Sequence, residues 1–364
     1  MAVLKPILVI NSGSSSLKAS LFRADGNRRD FHYKQIGQGP LPDHRAAFAA
    51  LLRELGAETP AAVGHRLVHG GDVTDAARLI DDAERTRLQA LVTLAPLHLP
   101  GNLLGVDVCR ERFAVPHFAC FDTAFHATLP EIARRLPIPR ALGLRRFGFH
   151  GISYAHVARQ LPGLLGKAAH GRVVVAHLGN GVSLCLLDRL RSVDTSMGYT
   201  PAGGIPMGTR SGDLDPGVML ELAKRHDNDE LADLVYRRMG LLALSDGESS
   251  DMAKLLASPT AAARFAVDYF CRQVSGAIGA FAARAGGIDA LVFTGGIGEH
   301  ADAVRAQVCA PLAFMGLQLD LDANRRHDTR LSAQNSKPVL RIPADEESLI
   351  RDLVMDRLNG APEN

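Results

Sequence analysis

Two stretches of this chain follow one plan at a distance of nearly half its length. Residues 7–10 (ILVI) form a short apolar run of the kind buried strands carry. The polar turn Asn11-Ser12-Gly13-Ser14-Ser15-Ser16 follows, and then Leu17, Ala19 and Leu21 alternate with Lys18 and Ser20 at the period of a second strand. Residues 173–176 (VVVA) lead in the same way into His177-Leu178-Gly179-Asn180-Gly181, after which Val182, Leu184 and Leu186 resume a strand. Gly13 and Gly179 stand 166 positions apart in a chain of 364. The plan predicts two similar α/β domains, each opening on a strand–turn–strand unit and facing each other across a cleft, where ligands most often bind.

A third apolar run, Leu291-Val292-Phe293, passes through Thr294-Gly295-Gly296-Ile297-Gly298-Glu299-His300 into a helix expected over the alanine-rich 301–310. Strand, glycine turn and helix start together suit an anion or nucleotide. Three-to-four spacing predicts helices over 46–55 and 83–94. The largely apolar 261–285 reads as a buried helix, and a last helix over 346–359 has Asp345 as its cap.

Composition removes several classes. Net charge is +2 with no block of like charges, so neither nucleic acid nor an anionic membrane is an expected partner. Five cysteines without a CxxC pair fit a reducing compartment. The apolar run in MAVLKPILVINSG is too short for a signal peptide, and nothing approaches the roughly 18 apolar residues of a membrane helix. A soluble cytoplasmic protein is expected.

The chemistry gathers in a few motifs. Residues 194–216 (DTSMGYTPAGGIPMGTRSGDLDP) carry five glycines and three prolines, too many for a long helix or regular strand. Met197, Tyr199, Ile205 and Met207 are apolar enough to bury part of the loop, and Arg210 stands among small donors, able to fork onto a carboxylate or phosphate. Arg66 lies between His65 and His69 before a Gly-Gly turn. An anion holder is a better reading than a two-histidine metal site that lacks a third ligand. Asp122 follows the strand expected over 115–120 and is open to two readings, a cleft carboxylate or a cap of the next turn. His150 lies between aromatics and glycines, as a core histidine or a catalyst. Arginines, histidine, aspartate, a lysine beside a serine-rich tip and glycine turns are the inventory phosphoryl transfer needs. No GxxxxGK[ST] loop and no protein-kinase HRD and DFG set is present.

NSGSSSLK, GHRLVHGG, FDTAFH, RFGFHG, HLGNG, the long loop, FTGGIGE and ADEES closely resemble, in order and over nearly the whole chain, the motifs of the acetate kinase family. The resemblance implies duplicated ribonuclease-H-like domains of the actin/Hsp70 type with an interdomain cleft. They would be divided as 1–149 with 346–364 and as 150–345. It also implies a homodimer that converts ATP and acetate reversibly to ADP and acetyl phosphate with Mg²⁺, or Mn²⁺ in its place. Asn11 and Glu346 would position the metal and its waters, and Lys18 would sit near the nucleotide phosphates. Arg66 and Arg210 would flank acetate and the migrating phosphoryl group. His150 would donate to that group, and Asp122 would orient Arg66 and the attacking carboxylate. An essential base is not expected there, because a carboxylate is already ionised at pH 7. His177, Leu178, Gly179, Asn180 and Gly181 would line the phosphates. Gly296, Ile297, Gly298, Glu299 and His300 would border the adenosine. Val68, Leu97, Phe149 and Pro201 match the pocket for the acetate methyl.

Asp251, Met252 and Ala253 match a segment near the adenine, where the family often has arginine in place of Ala253. Pro201-Ala202-Gly203-Gly204 lacks an acidic residue of the family pattern, and residues 23–60 are shorter than usual. A propionate or butyrate kinase, or a kinase with another phosphoryl donor such as pyrophosphate, stays open. An actin-like or chaperone module would need the phosphate hairpins, but not Arg66, His150 and Arg210 together.

Overall fold

A computed structural model describes residues 5–13, 16–37 and 39–360. Ser14 and Ser15 of the hydroxyl-rich turn, and the first four residues of the N-terminal run, lie outside the described residues. The chain forms two compact units, Met1–Ala127 with Phe149–His156 and Asp345–Asn364, and Thr128–Gly148 with Val157–Ala344. In this division 128–148 go with the second unit and 150–156 with the first, against a simple boundary at 149.

The fold is α/β, and both sheets follow the ribonuclease-H-like plan. The first holds β1 (Ile7–Ser12), β2 (Leu17–Phe22), β3 (Arg28–Tyr33), β4 (Ala62–Leu67), β5 (Ala77–Leu79) and β6 (His117–Phe121) in the order β3-β2-β1-β4-β6-β5. The second holds β7 (Arg172–Leu178), β8 (Val182–Asp188), β9 (Arg191–Thr195), β10 (Ala290–Thr294) and β11 (Val339–Arg341) in the order β11-β10-β7-β8-β9. In each, the first strand pairs antiparallel with the second and parallel with a later one: β1 with β2 and β4, β7 with β8 and β10.

The apolar run 7–10 is buried on both faces, as a central strand requires. Leu8 and Ile10 pack with Phe48 and Leu51 of the helix His44–Leu55. Ile7 and Val9 pack with Leu349, Ile350 and Val354 of the helix Glu346–Leu358. That last helix starts where the sequence places it, with the Asp345 side chain accepting from the Ser348 N–H at 3.2 Å.

Three details differ from the sequence reading. Ser20 is buried rather than facing out, because its hydroxyl donates to Asp30 Oδ1 at 2.5 Å. The helix Ala261–Ala285 is covered on one face only. Val267, Phe270 and Val274 are buried, while Phe265 is 56% exposed. The glycine turn after β10 is itself helical over Gly295–His300, and a separate helix, Asp302–Cys309, follows. Among the described residues no helix is long and apolar enough to cross a membrane.

His65 and His117 are buried side by side on β4 and β6. His117 Nε2 lies 3.1 Å from the Phe113 carbonyl and must donate to it, so its Nδ1 accepts from His65 Nε2 at 3.0 Å. His117 is therefore neutral, and burial holds both rings below the ordinary histidine pKa, with His117 adding to the lowering at His65. The unfolded chain takes up protons near pH 6.5 that the folded chain refuses. Stability is thus full above that value and is lost as pH falls below it, at up to about 1.4 kcal/mol per unit per histidine. Urea midpoints measured from pH 7.5 to 5.5 are expected to fall steeply in the wild type. The fall should be shallower in His65→Leu, whose absolute stability is lower.

Candidate active site

The first unit collects its charged residues at the carboxyl ends of three neighbouring strands. β1, β4 and β6 run parallel, with Ile10 beside His65 and Leu67 beside Phe121. Asn11, Arg66 and Asp122 consequently emerge at one edge, the edge at which α/β sheets take ligands. Arg66 forks onto Asp122, Nε to Oδ1 at 3.0 Å and Nη2 to Oδ2 at 2.6 Å. Its Nη1 donates to Asn11 Oδ1 at 3.0 Å. The Asn11 amide then donates to Glu346 Oε2 and Glu347 Oε1, each at 2.9 Å, and Glu346 lies 3.6 Å from Arg66 Nε. Lys18 is exposed on β2, directly across the hairpin from Asn11.

Asp122 does not cap a turn with its side chain, since both carboxylate oxygens are spent on Arg66. It is 1% exposed. Burial pushes its carboxyl up to about 6 against the pull of the guanidinium, with Glu346 adding to the rise. Burial alone would lower the Arg66 pKa, but Asp122 and Glu346 more than offset that and raise it, so the arginine stays charged.

His150 sits at the start of the helix Gly151–Leu165 with φ of 58°, a left-handed conformation uncommon outside glycine that histidine, like asparagine and aspartate, adopts more readily than most residues. Its neighbours are tied down. Gly151 N–H donates to the Asp122 carbonyl at 2.8 Å, and His126 Nε2 lies 2.9 Å from the Phe149 carbonyl. Phe149 and Val68 are buried, and Leu97 is half-buried in the turn before the helix Leu99–Arg112.

The second unit brings its two glycine turns together. His177 and Thr294 are register partners on the parallel strands β7 and β10. A methyl group on Gly179 would lie 4.0 Å from the Gly296 nitrogen. Leu178 is buried, Gly296 and His300 are exposed, and Glu299 Oε1 accepts from the Ala344 N–H at 2.9 Å. Asp251 caps the helix Met252–Ala257, its Oδ1 accepting from Ala253 and Lys254, and Met252 is 4% exposed.

Arg210 lies in an ordered loop. Its Nη1 donates to the Pro201 carbonyl at 3.0 Å, and Met197, Ile205 and Met207 are buried as their apolarity predicts. The turn closes on itself through Met207 N–H to the Arg210 carbonyl at 2.9 Å. The start of the helix Gly240–Leu244 holds it from outside: the N–H groups of Met239, Leu241 and Leu242 donate to the carbonyls of Thr209, Met207 and Gly208. Only glycine fits at 240, where φ is 66° and a Cβ would meet the Met207 carbonyl at 2.1 Å.

Several supporting residues escaped the sequence reading. Asn102 is buried and bridges two strand ends, accepting from Val68 N–H at 3.2 Å and donating to the Ser12 carbonyl at 2.7 Å. Thr123 accepts from Gly70 N–H, and Glu347 shares Asn11 with Glu346. Arg146 donates to the carbonyls of Thr195, Ser196 and Met197 at the entry to the long loop. An arginine beside a glycine-rich segment is a signal that could have pointed to Arg146. Nothing in the spacing of Asn102 or Thr123 could have done the same for them.

A family model described as the acetokinase family matches residues 29–352. An acetate kinase of Rhodopseudomonas palustris is 42% identical over 94% of this chain and 96% of its own. One of Clostridium botulinum is 36% identical over 94% and 97%. Among solved structures, Porphyromonas gingivalis acetate kinase matches with a TM-score of 0.86 at 32% identity, covering 98% of this chain and 100% of that one. A propionate kinase from Francisella tularensis matches with a TM-score of 0.86 at 30% identity, covering 96% and 99%. The strand-end cluster and the glycine turns thus sit in a chain that belongs to the acetokinase family.

Proposed function

We propose that the protein is an acetate kinase, moving a phosphoryl group reversibly between ATP and the carboxylate of acetate by direct in-line transfer. Family membership makes it a phosphotransferase with a carboxyl group as acceptor. The observation that carries the finer reading is Arg66, a permanent cation fixed at the strand ends by Asp122 and Asn11. Three of its five N–H bonds are taken, so Nη1 and Nη2 each keep a hydrogen for an incoming anion. Acetate is already ionised at neutral pH and needs no base. Asp122, with both oxygens on Arg66, serves to aim the guanidinium rather than to take a proton.

In this reading Val68, Leu97, Phe149 and Pro201 receive the methyl group. His150 donates to the phosphoryl oxygens, and Arg210 counters the charge that spreads over them in transit. Lys18 and His177–Gly181 take the nucleotide phosphates. Gly296–His300 and Asp251–Ala253 border the nucleoside. The hard oxygens of Glu346 suit Mg²⁺, or Mn²⁺, which would neutralise phosphate charge when bound. The Asn11 carbonyl oxygen is engaged by Arg66, so Asn11 would hold the ion through water. We place the enzyme in the cytoplasm as a homodimer, with no nucleic-acid or membrane partner.

Propionate as the preferred acceptor is a second reading, favoured by the likeness to a propionate kinase structure. One methylene in an apolar pocket is worth only about 1–3 kcal/mol. The deciding experiment is a panel of C2 to C4 acids against ATP and pyrophosphate with Mg²⁺. The highest kcat/KM is expected for acetate with ATP, and no acyl phosphate from any acid would refute the proposal.

Two outcomes are expected of variants. Arg210→Ala should lose about 10³-fold in kcat while its melting temperature stays near that of the wild type, because the residue acts on transferring charge. In the pH profile of kcat/KM, activity should be present above about pH 6 and fall as Asp122 is protonated below it. Asp122→Asn should be slower at all pH values and should lack that limb.

A further inference from the structure

Among the described residues the largest fully buried side chain is an arginine that donates no hydrogen bond to a carboxylate. Arg305, on the helix Asp302–Cys309, is 0% exposed. All five of its N–H bonds are satisfied by neutral acceptors. Nε donates to Asn324 Oδ1 at 2.7 Å. Nη1 donates to the carbonyls of Gly298 and Glu299 at 2.9 and 3.0 Å. Nη2 donates to the Asn324 carbonyl and to His327 Nδ1 at 2.8 and 3.0 Å. Burying an unpaired charge is a costly way to fill space. Here the compensation comes from helix ends, with the Asp302 carboxylate at the start of the same helix adding attraction. Gly298 and Glu299 belong to the last turn of Gly295–His300, and Asn324 to the last turn of Leu321–Arg325. The exposed carbonyls of a helix C-terminus carry partial negative charge.

What the arginine holds is a segment that cannot hold itself. Gly295–His300 is six residues long with three glycines, each about 1 kcal/mol worse than alanine in a helix, and a helix so short is unstable alone. Its first residue is fixed by close approach, since a Cβ on Gly295 would lie 2.8 Å from the Leu178 carbonyl. Arg305 fixes the other end. The same guanidinium makes His327 Nδ1 an acceptor, which sets that ring as the neutral Nε2–H tautomer, edge-on to His300 at 6.4 Å.

We propose that Arg305 is a positioning residue for nucleotide binding, its fork of hydrogen bonds setting the glycine helix Gly295–His300 in the conformation that receives the nucleotide. This rests on the reading of that helix as a border of the nucleoside. Lysine keeps the charge but has no planar fork, so it cannot serve both helix ends at once.

The test compares Arg305→Lys and Arg305→Gln with the wild-type enzyme by separate KM values for ATP and acetate. The KM for ATP should rise about ten-fold or more, with the KM for acetate within about two-fold and kcat reduced less than the ATP affinity. Lysine should fail to rescue. A folded Arg305→Lys enzyme with an unchanged KM for ATP overturns the proposal. Should both variants fail to fold by circular dichroism, Asn324→Ala removes the acceptor for Nε, together with the bond from Asn324 Nδ2 to the Asp302 carbonyl, leaves the other four guanidinium bonds in place, and should raise the KM for ATP about three-fold. An unchanged value there overturns the proposal equally. Photolabelling of the wild type with 8-azido-ADP separates the two layers. Label within residues 295–300 is expected and supports the premise, and label elsewhere removes it. Label in place with unchanged KM values rejects only the role of Arg305.

Discussion

The pairing of Arg66 with Asp122 is the interaction on which the strand-end cluster of the first unit depends. A carboxylate that is 1% exposed is tolerable only because a guanidinium meets both of its oxygens, and the guanidinium is held in one orientation only because that carboxylate is fixed by the sheet. Removing either partner from such a pair leaves an uncompensated charge at a cost of about 3–5 kcal/mol. The parallel register of β1, β4 and β6 puts the two residues within reach, and Asn11 passes the alignment on to the glutamates at the start of the last helix. A fixed cation is therefore held at the strand ends in advance, the arrangement that the proposed transfer would use.

Much of this was legible in the sequence, for identifiable reasons. The apolar runs at 7–10, 173–176 and 291–293 announced central strands because both faces of those strands are covered, so no polar alternation interrupts them. Asp345 announced a helix start because its side chain does the capping. Arg66, Asp122 and Arg210 were conspicuous as charges next to glycine or at strand ends. Hidden from it were the residues that act across long separations. Asn102 reads as an ordinary helix residue and reveals its bridge between β1 and β4 only once the helix is laid beside the sheet. The single-faced burial of Ala261–Ala285 was obscured because alanines occupy both of its faces. Arg305 lies in the alanine-rich stretch 301–310, and no local pattern there signals that two helix ends close over it.

The two units solve the problem of a rigid loop differently. In the first, the segment from Arg66 to Gly71 is held by side chains: Asn102, Thr123 and Arg87, whose Nη1 donates to the Gly70 carbonyl. In the second, the turn carrying Arg210 is held almost wholly by main-chain bonds from the start of the helix Gly240–Leu244. The first arrangement can be retuned by single substitutions. The second is indifferent to most side chains and vulnerable at Gly240, where backbone meets backbone.

The helix Glu346–Leu358 completes the core beneath β1, although about 330 residues separate the two along the chain. On the ribosome, Ile7 and Val9 are made long before Leu349, Ile350 and Val354, the residues they pack against. The stretch 157–344, by contrast, is one continuous piece of the second unit and can consolidate while synthesis is still under way. One face of the first sheet can thus be covered early by the helix His44–Leu55, while the face that carries Ile7 and Val9 stays open until the helix Glu346–Leu358 has been made.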